Sequence, residues 1–492
     1  MKTLLHKSAR YVTQHAYTVG IIILCICNVL VRLPFLNLPS VGDEGLYYQG
    51  VLTIYKHNLN PFVEFWSYKP PVIFWFTALI FKLFQPSRMI AHLFVYFLSS
   101  CTLLLLYLVG KKLRDEKVGF LAALLLCLTP TFIFQSMLFL DSLFISVLLL
   151  ATIYAYLSKR YFLYFITCSL LVLTKETQIF IPFLIFFYAF FVAWKRHGFS
   201  LRHLWSCSFL LLPSIWFLLW IAVNKYIFGW YVWPLSTTLL HSLSIHNVLN
   251  RLKELFIHSG IWSIALPTLF TYYFYRVTII KKNPFTLFFL ISYVFYTCLF
   301  LIFPPWPRYV LPYYPLLYLL CFICISYSKF ARYLWKSFLV FICIMIGSWI
   351  MMTVKFPISG SWGEDDLFRI ISLDQQTIRF IQETYPNAII LTTGGENNQI
   401  YTDPFLGYVT EQSRFSFAAY LSCNTPTSEQ KLYMKDDIRT VLTNPTGPVI
   451  YIDTSSYTGA CTTSPAHLQF LKRIYSNNID TQSVHDIYLV TQ

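Results

Sequence analysis

The chain has 492 residues, of which 57% are hydrophobic, 19% aromatic and only 12% charged. A soluble domain carries about 25% charged residues and could not cover its surface with so apolar a composition, so the bulk of this chain belongs in lipid. The net charge of +15 comes from residues 1–354, with 28 Lys and Arg against 8 Asp and Glu; residues 355–492 carry 9 against 14. A basic excess that belongs wholly to the apolar part favours membrane-flanking charge over a nucleic-acid face.

Apolar runs of spanning length lie near 17–33, 89–109, 118–137, 142–158, 161–174, 178–194, 205–223, 259–275, 285–303, 309–327 and 333–352. The first has no small-residue cleavage site after it and reads as a span rather than a removed signal. Basic clusters at Lys2/Lys7/Arg10, Lys111/Lys112/Arg114/Lys117, Lys159/Arg160, Lys195/Arg196/Arg202, Arg276/Lys281/Lys282 and Lys329/Arg332/Lys336 fall at every second break. Placing them all in the cytoplasm predicts a cytoplasmic N-terminus, eleven crossings and an extracytoplasmic C-terminal part. Residues 71–85 would upset this alternation if they crossed. At ~15 residues the run is short for a span and starts at Pro70-Pro71, so it reads as an interfacial or re-entrant helix.

The expected architecture is a polytopic α-helical membrane domain over 1–354, with about eleven transmembrane helices and interfacial helices in a first outer loop near 34–88. A small extracytoplasmic α/β domain over 355–492 completes it. In that loop Pro34, Pro39 and Gly42 break the first helix. Asp43-Glu44 then opens an amphipathic helix with Leu46, Tyr47, Val51, Ile54 and Tyr55 on its apolar side. Acids at a helix start favour their ionised form, and a cap alone would account for them.

Further ionisable residues fall on the same predicted side. Asp141 stands between two apolar runs, where a charge costs roughly 2.5–3.5 kcal/mol even on insertion scales and so marks a site; capping the next span is its ordinary explanation. Lys175 and Glu176 sit at another outward junction and could simply pair with each other. Arg308 follows the rigid Pro304-Pro305-Trp306-Pro307 turn and could be an interfacial anchor beside Tyr309. Together they suggest one site with acids and several cations.

The segments GDEGLYYQG, YKPPVIFWF, LDSLF, LTKE and PRYVLPYYP, in this order over about residues 17–320, resemble the polyprenyl-phosphate-sugar glycosyltransferases of the C-type membrane fold. That family includes the protein O-mannosyltransferases and the bacterial transferase that adds aminoarabinose to lipid A. The resemblance implies that Asp43 is the catalytic acid acting as base on the acceptor or orienting it, with Glu44 completing an acidic pair. It implies that Asp141 is a second outward acid positioning the acceptor or the base. Lys69, Lys175 and Arg308 would contact the donor phosphate, and Tyr309 would add a hydroxyl donor. The donor is then a polyprenyl-phosphate sugar, and the acceptor a hydroxyl or phosphate on a lipid, glycan or protein. The implied location is the bacterial inner membrane, with the chemistry outside.

The chemistry suits these residue types. Expulsion of a lipid phosphate builds negative charge that Lys and Arg stabilise in a dehydrated site, while an Asp takes the acceptor proton. A single displacement inverts the anomeric centre. No nucleotide-cradling glycine loop is present in the sequence, as expected where no nucleotide is available. Asp43, Glu44 and Asp141 have the oxygen chemistry of Mg²⁺ or Mn²⁺ ligands, yet the cations supply the needed charge, so no metal is expected to be required. His57, His241, His246 and His258 show no zinc-type spacing. Other readings are a flippase for lipid-linked sugars, which would show internal repeats, and a surface-polysaccharide polymerase or ligase, which would show a large outer loop late in the chain.

Beyond 355, DDLFRIISLDQQTIRFIQETY reads as a helix and NAIILTT, PVIYIDT and DIYLVTQ as strands. TGGEN reads as a turn rather than a phosphate loop. Cys423 and Cys461 could pair in an oxidising compartment.

Overall fold

The computed structural model describes residues 15–41, 43–62, 69–229, 284–302, 309–327, 367–392, 403–409, 416–419, 448–453, 468–475 and 484–490. The predicted spans at 259–275 and 333–352, Arg308, His241, His246, His258, Cys423 and Cys461 lie outside them. The chain divides into two compact units: Met1–Leu36, Gly50–Pro86 and Ile90–Met351 form one, and Asn37–Gln49, Ser87–Met89 and Met352–Gln492 the other.

The first unit is helical. In chain order it contains α1 (Ala16–Leu30), most of α2 (Glu44–Lys56), α3 (Val72–Phe84), α4 (Arg88–Leu113), α5 (Glu116–Cys127) and α6 (Pro130–Gln135). Then come α7 (Asp141–Leu157), α8 (Tyr161–Val172), α9 (Phe180–His197), α10 (Leu201–Ser208), α11 (Ser214–Phe228), α12 (Phe285–Ile302) and α13 (Tyr314–Tyr327). Among the described residues, Ala16–Phe35, Arg88–Leu113 and Glu176–His197 are helical stretches long and apolar enough to cross a membrane. Leu201–Leu211 with Ser214–Ile227, bent by 53°, would be a fourth span. The bend falls at Pro213, which withholds an N–H from the helix ladder. The remaining apolar helices, α3 among them, are shorter.

Local chemistry explains the joints. The Asp115 carboxylate accepts from Val118 N at 2.9 Å and caps α5. Gly110 and Gly119 let α4 and α5 approach closely, since a Cβ on either would strike the backbone of the other helix. α5 packs against α1 and α13, α7 against α8, and α12 against α9 and α13. α13 is buried along most of its length, whereas Phe162, Phe187 and Leu218 stand exposed on their helices, as lipid-facing side chains do.

In the second unit α14 (Leu367–Thr384) packs on a five-stranded sheet. The strands are β1 (Ile389–Thr392), β2 (Ser416–Ala419), β3 (Val449–Asp453), β4 (Leu468–Tyr475) and β5 (Val484–Val490), in the order β2-β1-β3-β5-β4. β1 runs parallel to β2 and β3; β5 runs antiparallel to β3 and β4. Two central strands lie within the apolar segments NAIILTT and PVIYIDT, and the third, β5, begins two residues before DIYLVTQ. The two edge strands are polar or short: β4 carries the exposed Lys472, charge of the kind that protects a sheet edge from further pairing.

Candidate active site

Within the helical unit the structure brings together Lys69, Asp141, Lys175 and Tyr309. Asp141 opens α7 and is buried, with its N-cap position taken by Leu140. Its Oδ2 lies 3.3 Å from Lys175 Nζ and 3.9 Å from Lys69 Nζ. The three side chains retain only 5%, 16% and 15% of their exposure, so water screens these charges weakly. Lys175 therefore reaches across to Asp141. Its Nζ also sits 4.0 Å from the centre of the Tyr309 ring, so Tyr309 meets the cation with its π face.

Each member is held by its own element. Val72 N donates to Leu173 O at 3.2 Å, which fixes the Lys69-Pro70-Pro71 approach to α3 beside the end of α8. The Thr174–Gln178 junction is pinned from two helical segments: Tyr296 donates to Thr177 O at 3.0 Å, and Tyr313 donates to Gln178 Oε1 at 2.8 Å. The two tyrosine rings stack on each other. At the end of α1, the buried Arg32 guanidinium donates to Asn28 O and to Ser136 Oγ, tying α1 to the turn that leads into Asp141. Gln178, Tyr296, Tyr313 and Arg32 carried no site assignment from sequence. A signal for Arg32 was nevertheless present: it is a cation at the predicted outer end of a span, against the basic-inside trend.

Asp43 and Glu44 belong to the second unit. Asp43 occupies the turn before α2 and is half-buried, and its backbone carbonyl accepts from Tyr47 N at 3.2 Å. Glu44 is fully buried. Its Oε1 accepts from the Tyr48 hydroxyl at 3.1 Å and its Oε2 from Val41 N at 3.2 Å. Glu44 thus binds the loop to its own helix, a larger structural task than an exposed cap. On α2, Tyr47, Val51 and Ile54 are buried as the amphipathic pattern predicts, but so are Glu44 and Tyr48; Leu46 and Tyr55 are half-exposed.

His57 bonds locally to Thr53 O at 2.9 Å on an exposed turn. Among the described residues no group of three or more His, Cys, Asp or Glu could hold a metal ion. The carboxylate of Asp141 already faces two ammonium groups.

Residues 68–220 match the family model described as dolichyl-phosphate-mannose-protein mannosyltransferase, a stretch that contains Lys69, Asp141 and Lys175. ArnT from Cupriavidus metallidurans in the apo state aligns with a TM-score of 0.61 and 13% identity, over 97% of this chain and 98% of that one. The same protein bound to undecaprenyl phosphate aligns at 0.58 and 12%, over 96% and 98%. The Archaeoglobus fulgidus oligosaccharyltransferase in the apo form aligns at 0.52 and 11%, over 90% of this chain and 70% of that one. No curated protein sequence matches. The family-model match spans about a third of the chain, whereas the structural likeness to ArnT extends over nearly all of it.

At such low identity the structural likeness is one of fold. What a fold of this kind can do depends on the side chains grafted onto it. In this chain those are a buried carboxylate facing two lysines and, in the other unit, an acidic pair of which one member is committed to structure and the other is half-buried at a helix start.

Proposed function

We propose that the enzyme moves a sugar from a polyprenyl-phosphate donor to an acceptor hydroxyl or phosphate on the extracytoplasmic side, with inversion at the anomeric carbon. The observation that carries this reading is the convergence of Lys69 and Lys175 on Asp141 in a nearly water-free setting. The two converging ammonium groups supply positive charge that a departing phosphate would complement. Asp141 keeps both lysines in place when the site is empty, and Arg308 adds a further cation. Asp43 removes the acceptor proton, and Glu44 shapes the loop that presents it. No metal is required on this reading, because the lysines supply the charge a divalent cation would bring. Support comes from the fold shared with ArnT, solved with undecaprenyl phosphate bound, and from the oligosaccharyltransferase match.

The proposal extends to topology. The N-terminus is cytoplasmic and the chain crosses a bacterial inner membrane eleven times. α3 lies at the outer interface or re-enters, and residues 355–492 form an extracytoplasmic α/β domain. The acceptor is a lipid, a glycan or a protein side chain.

Membranes containing the enzyme, supplied with radiolabelled polyprenyl-phosphate sugars, test the chemistry. Wild type transfers label and Asp43→Asn does not, although it still binds the donor lipid; equal transfer by both would sink the proposed base. A reporter fused after Lys117 tests the topology, which an extracytoplasmic signal would overturn.

A further inference from the structure

The loop that carries Asp43 is held from outside as well as by its own hydrogen bonds. Within the second unit, the Asp403–Val409 segment (DPFLGYV) closes on this loop. Asp403 Oδ1 accepts from Phe405 N at 2.9 Å and shapes the turn; Gly407 continues it at φ +89°, in the left-handed region. The buried Leu406 offers its carbonyl to two donors, Ser40 N at 3.0 Å and Arg88 Nη1 at 2.9 Å. A Cβ on Gly407 would fall on the Arg88 guanidinium. The Phe405 ring meets the Tyr48 ring edge-on at 5.2 Å, and the Tyr48 hydroxyl is the one that donates to Glu44. Glu44 and Asp403 supply negative charge near Arg88.

These contacts reach residues on both sides of Asp43: Ser40 before it, and Glu44, through Tyr48, after it. We infer that the Pro404–Gly407 turn and Arg88 are positioning elements for Asp43, so that the C-terminal unit completes the catalytic first loop. The inference rests on the reading of Asp43 as the base. A base must sit within hydrogen-bond reach of the proton it takes, and a misplacement of about 1 Å can cost roughly 10²-fold in rate. Gly407 is then required for a reason that no contact with substrate explains: the space its side chain would fill belongs to Arg88.

Full-length enzyme in lipid nanodiscs, compared as wild type, Gly407→Ala, Arg88→Met and Arg88→Lys, tests this. Expected is a fall in kcat of about 10- to 100-fold for Gly407→Ala and Arg88→Met, with donor KM and polyprenyl-phosphate binding within about twofold and faster hydrogen exchange at amides 41–49. Arg88→Lys, which keeps a donor for the Leu406 carbonyl, retains more turnover than Arg88→Met. Should Gly407→Ala fail to fold, Phe405→Leu removes only the ring contact with Tyr48 and predicts the same split to a smaller degree. Loss of kcat and donor binding in parallel would mean a general structural role and overturn the inference. So would faster exchange with unchanged kcat. Asp43→Asn separates the two claims: if it abolishes transfer while the Arg88 and Gly407 variants turn over normally, only the positioning role falls. If it transfers normally, the base assignment falls and the inference with it.

Discussion

The Lys175 ammonium and the Asp141 carboxylate meet 3.3 Å apart with most of their surface withdrawn from water. They are 34 positions apart in the chain and arrive from different helical junctions. Lys69 approaches the same oxygen at 3.9 Å, so one carboxylate organises two cations. Such a pair gains little over apolar packing as pure stabilisation, but removing one partner leaves a charge stranded in low dielectric.

Asp141→Asn should therefore cost stability as well as activity. Loss of a partner from a buried pair is worth about 3–5 kcal/mol. The expected outcome is a clearly lowered melting temperature in detergent and loss of transfer. Asp141→Asn combined with Lys175→Met should be less destabilised than the sum of the single variants, because the nearer of the two stranded charges is gone. Strict additivity in that double-mutant cycle would mean that the pair is not coupled.

Donor binding should depend on the lysines. Lys69→Met and Lys175→Met each remove a charge-assisted contact worth about 1.5–3 kcal/mol, so polyprenyl phosphate should bind about 10- to 100-fold more weakly. Tyr309→Phe should bind like wild type, because the ring face that meets Lys175 is kept. Tyr309→Leu should weaken binding by up to about 2 kcal/mol. A defect in Tyr309→Phe as large as that in Tyr309→Leu would assign the role to the hydroxyl instead. Titration calorimetry or lipid-binding fluorescence in nanodiscs reads all four.

The acidic pair should split by phenotype. Asp43→Asn should lower kcat by about 10²–10⁴-fold with little change in melting temperature. Glu44→Gln disturbs the buried acceptor of Tyr48 and Val41, and should lower stability by about 1–3 kcal/mol with a smaller direct effect on turnover. The reverse pattern would exchange the two assignments.

Asp374 makes the C-terminal unit pH-sensitive. It is buried on α14, and burial pushes its carboxyl up from 3.8 to about 8. The folded state then holds a proton that the unfolded state releases between these values. The stability contribution is fully present below about pH 4 and is lost as pH rises through about 8. Hydrogen exchange of α14 in the full-length enzyme should be slower at pH 5.5 than at pH 8.5, after correction for intrinsic exchange. Asp374→Asn should flatten that dependence, and an unchanged slope would locate the titrating group elsewhere.

The site was legible in part, and the division follows how far apart the partners lie. Asp141 and Lys175 stood out because an ionisable residue between apolar runs is expensive and conspicuous. Their mutual pairing did not, because sequence offered Lys175 its neighbour Glu176 as the obvious partner. Tyr309 was noticed for its hydroxyl, whereas the structure presents its ring to the cation. Gln178, Tyr296 and Tyr313 look like ordinary residues of apolar helices until their hydrogen bonds to the 174–178 junction are seen. In the sheet, the apolar central strands could be read, while β2 is short and β4 is masked by the charges that suit an edge.

What the sequence alone determined was local: helix-forming apolar runs, the breaks that Pro and Gly make in them, and the charged residues too costly to be accidental at those breaks. These follow from hydropathy and backbone sterics acting over a few residues. Only the tertiary structure decided which charge answers which. It set Lys69 and Lys175 on one oxygen of Asp141, buried Glu44 against Tyr48, and brought the Leu406 carbonyl to Arg88 across 318 positions of chain. Such pairings depend on how packed elements converge, and hydrophobic periodicity carries no record of that convergence.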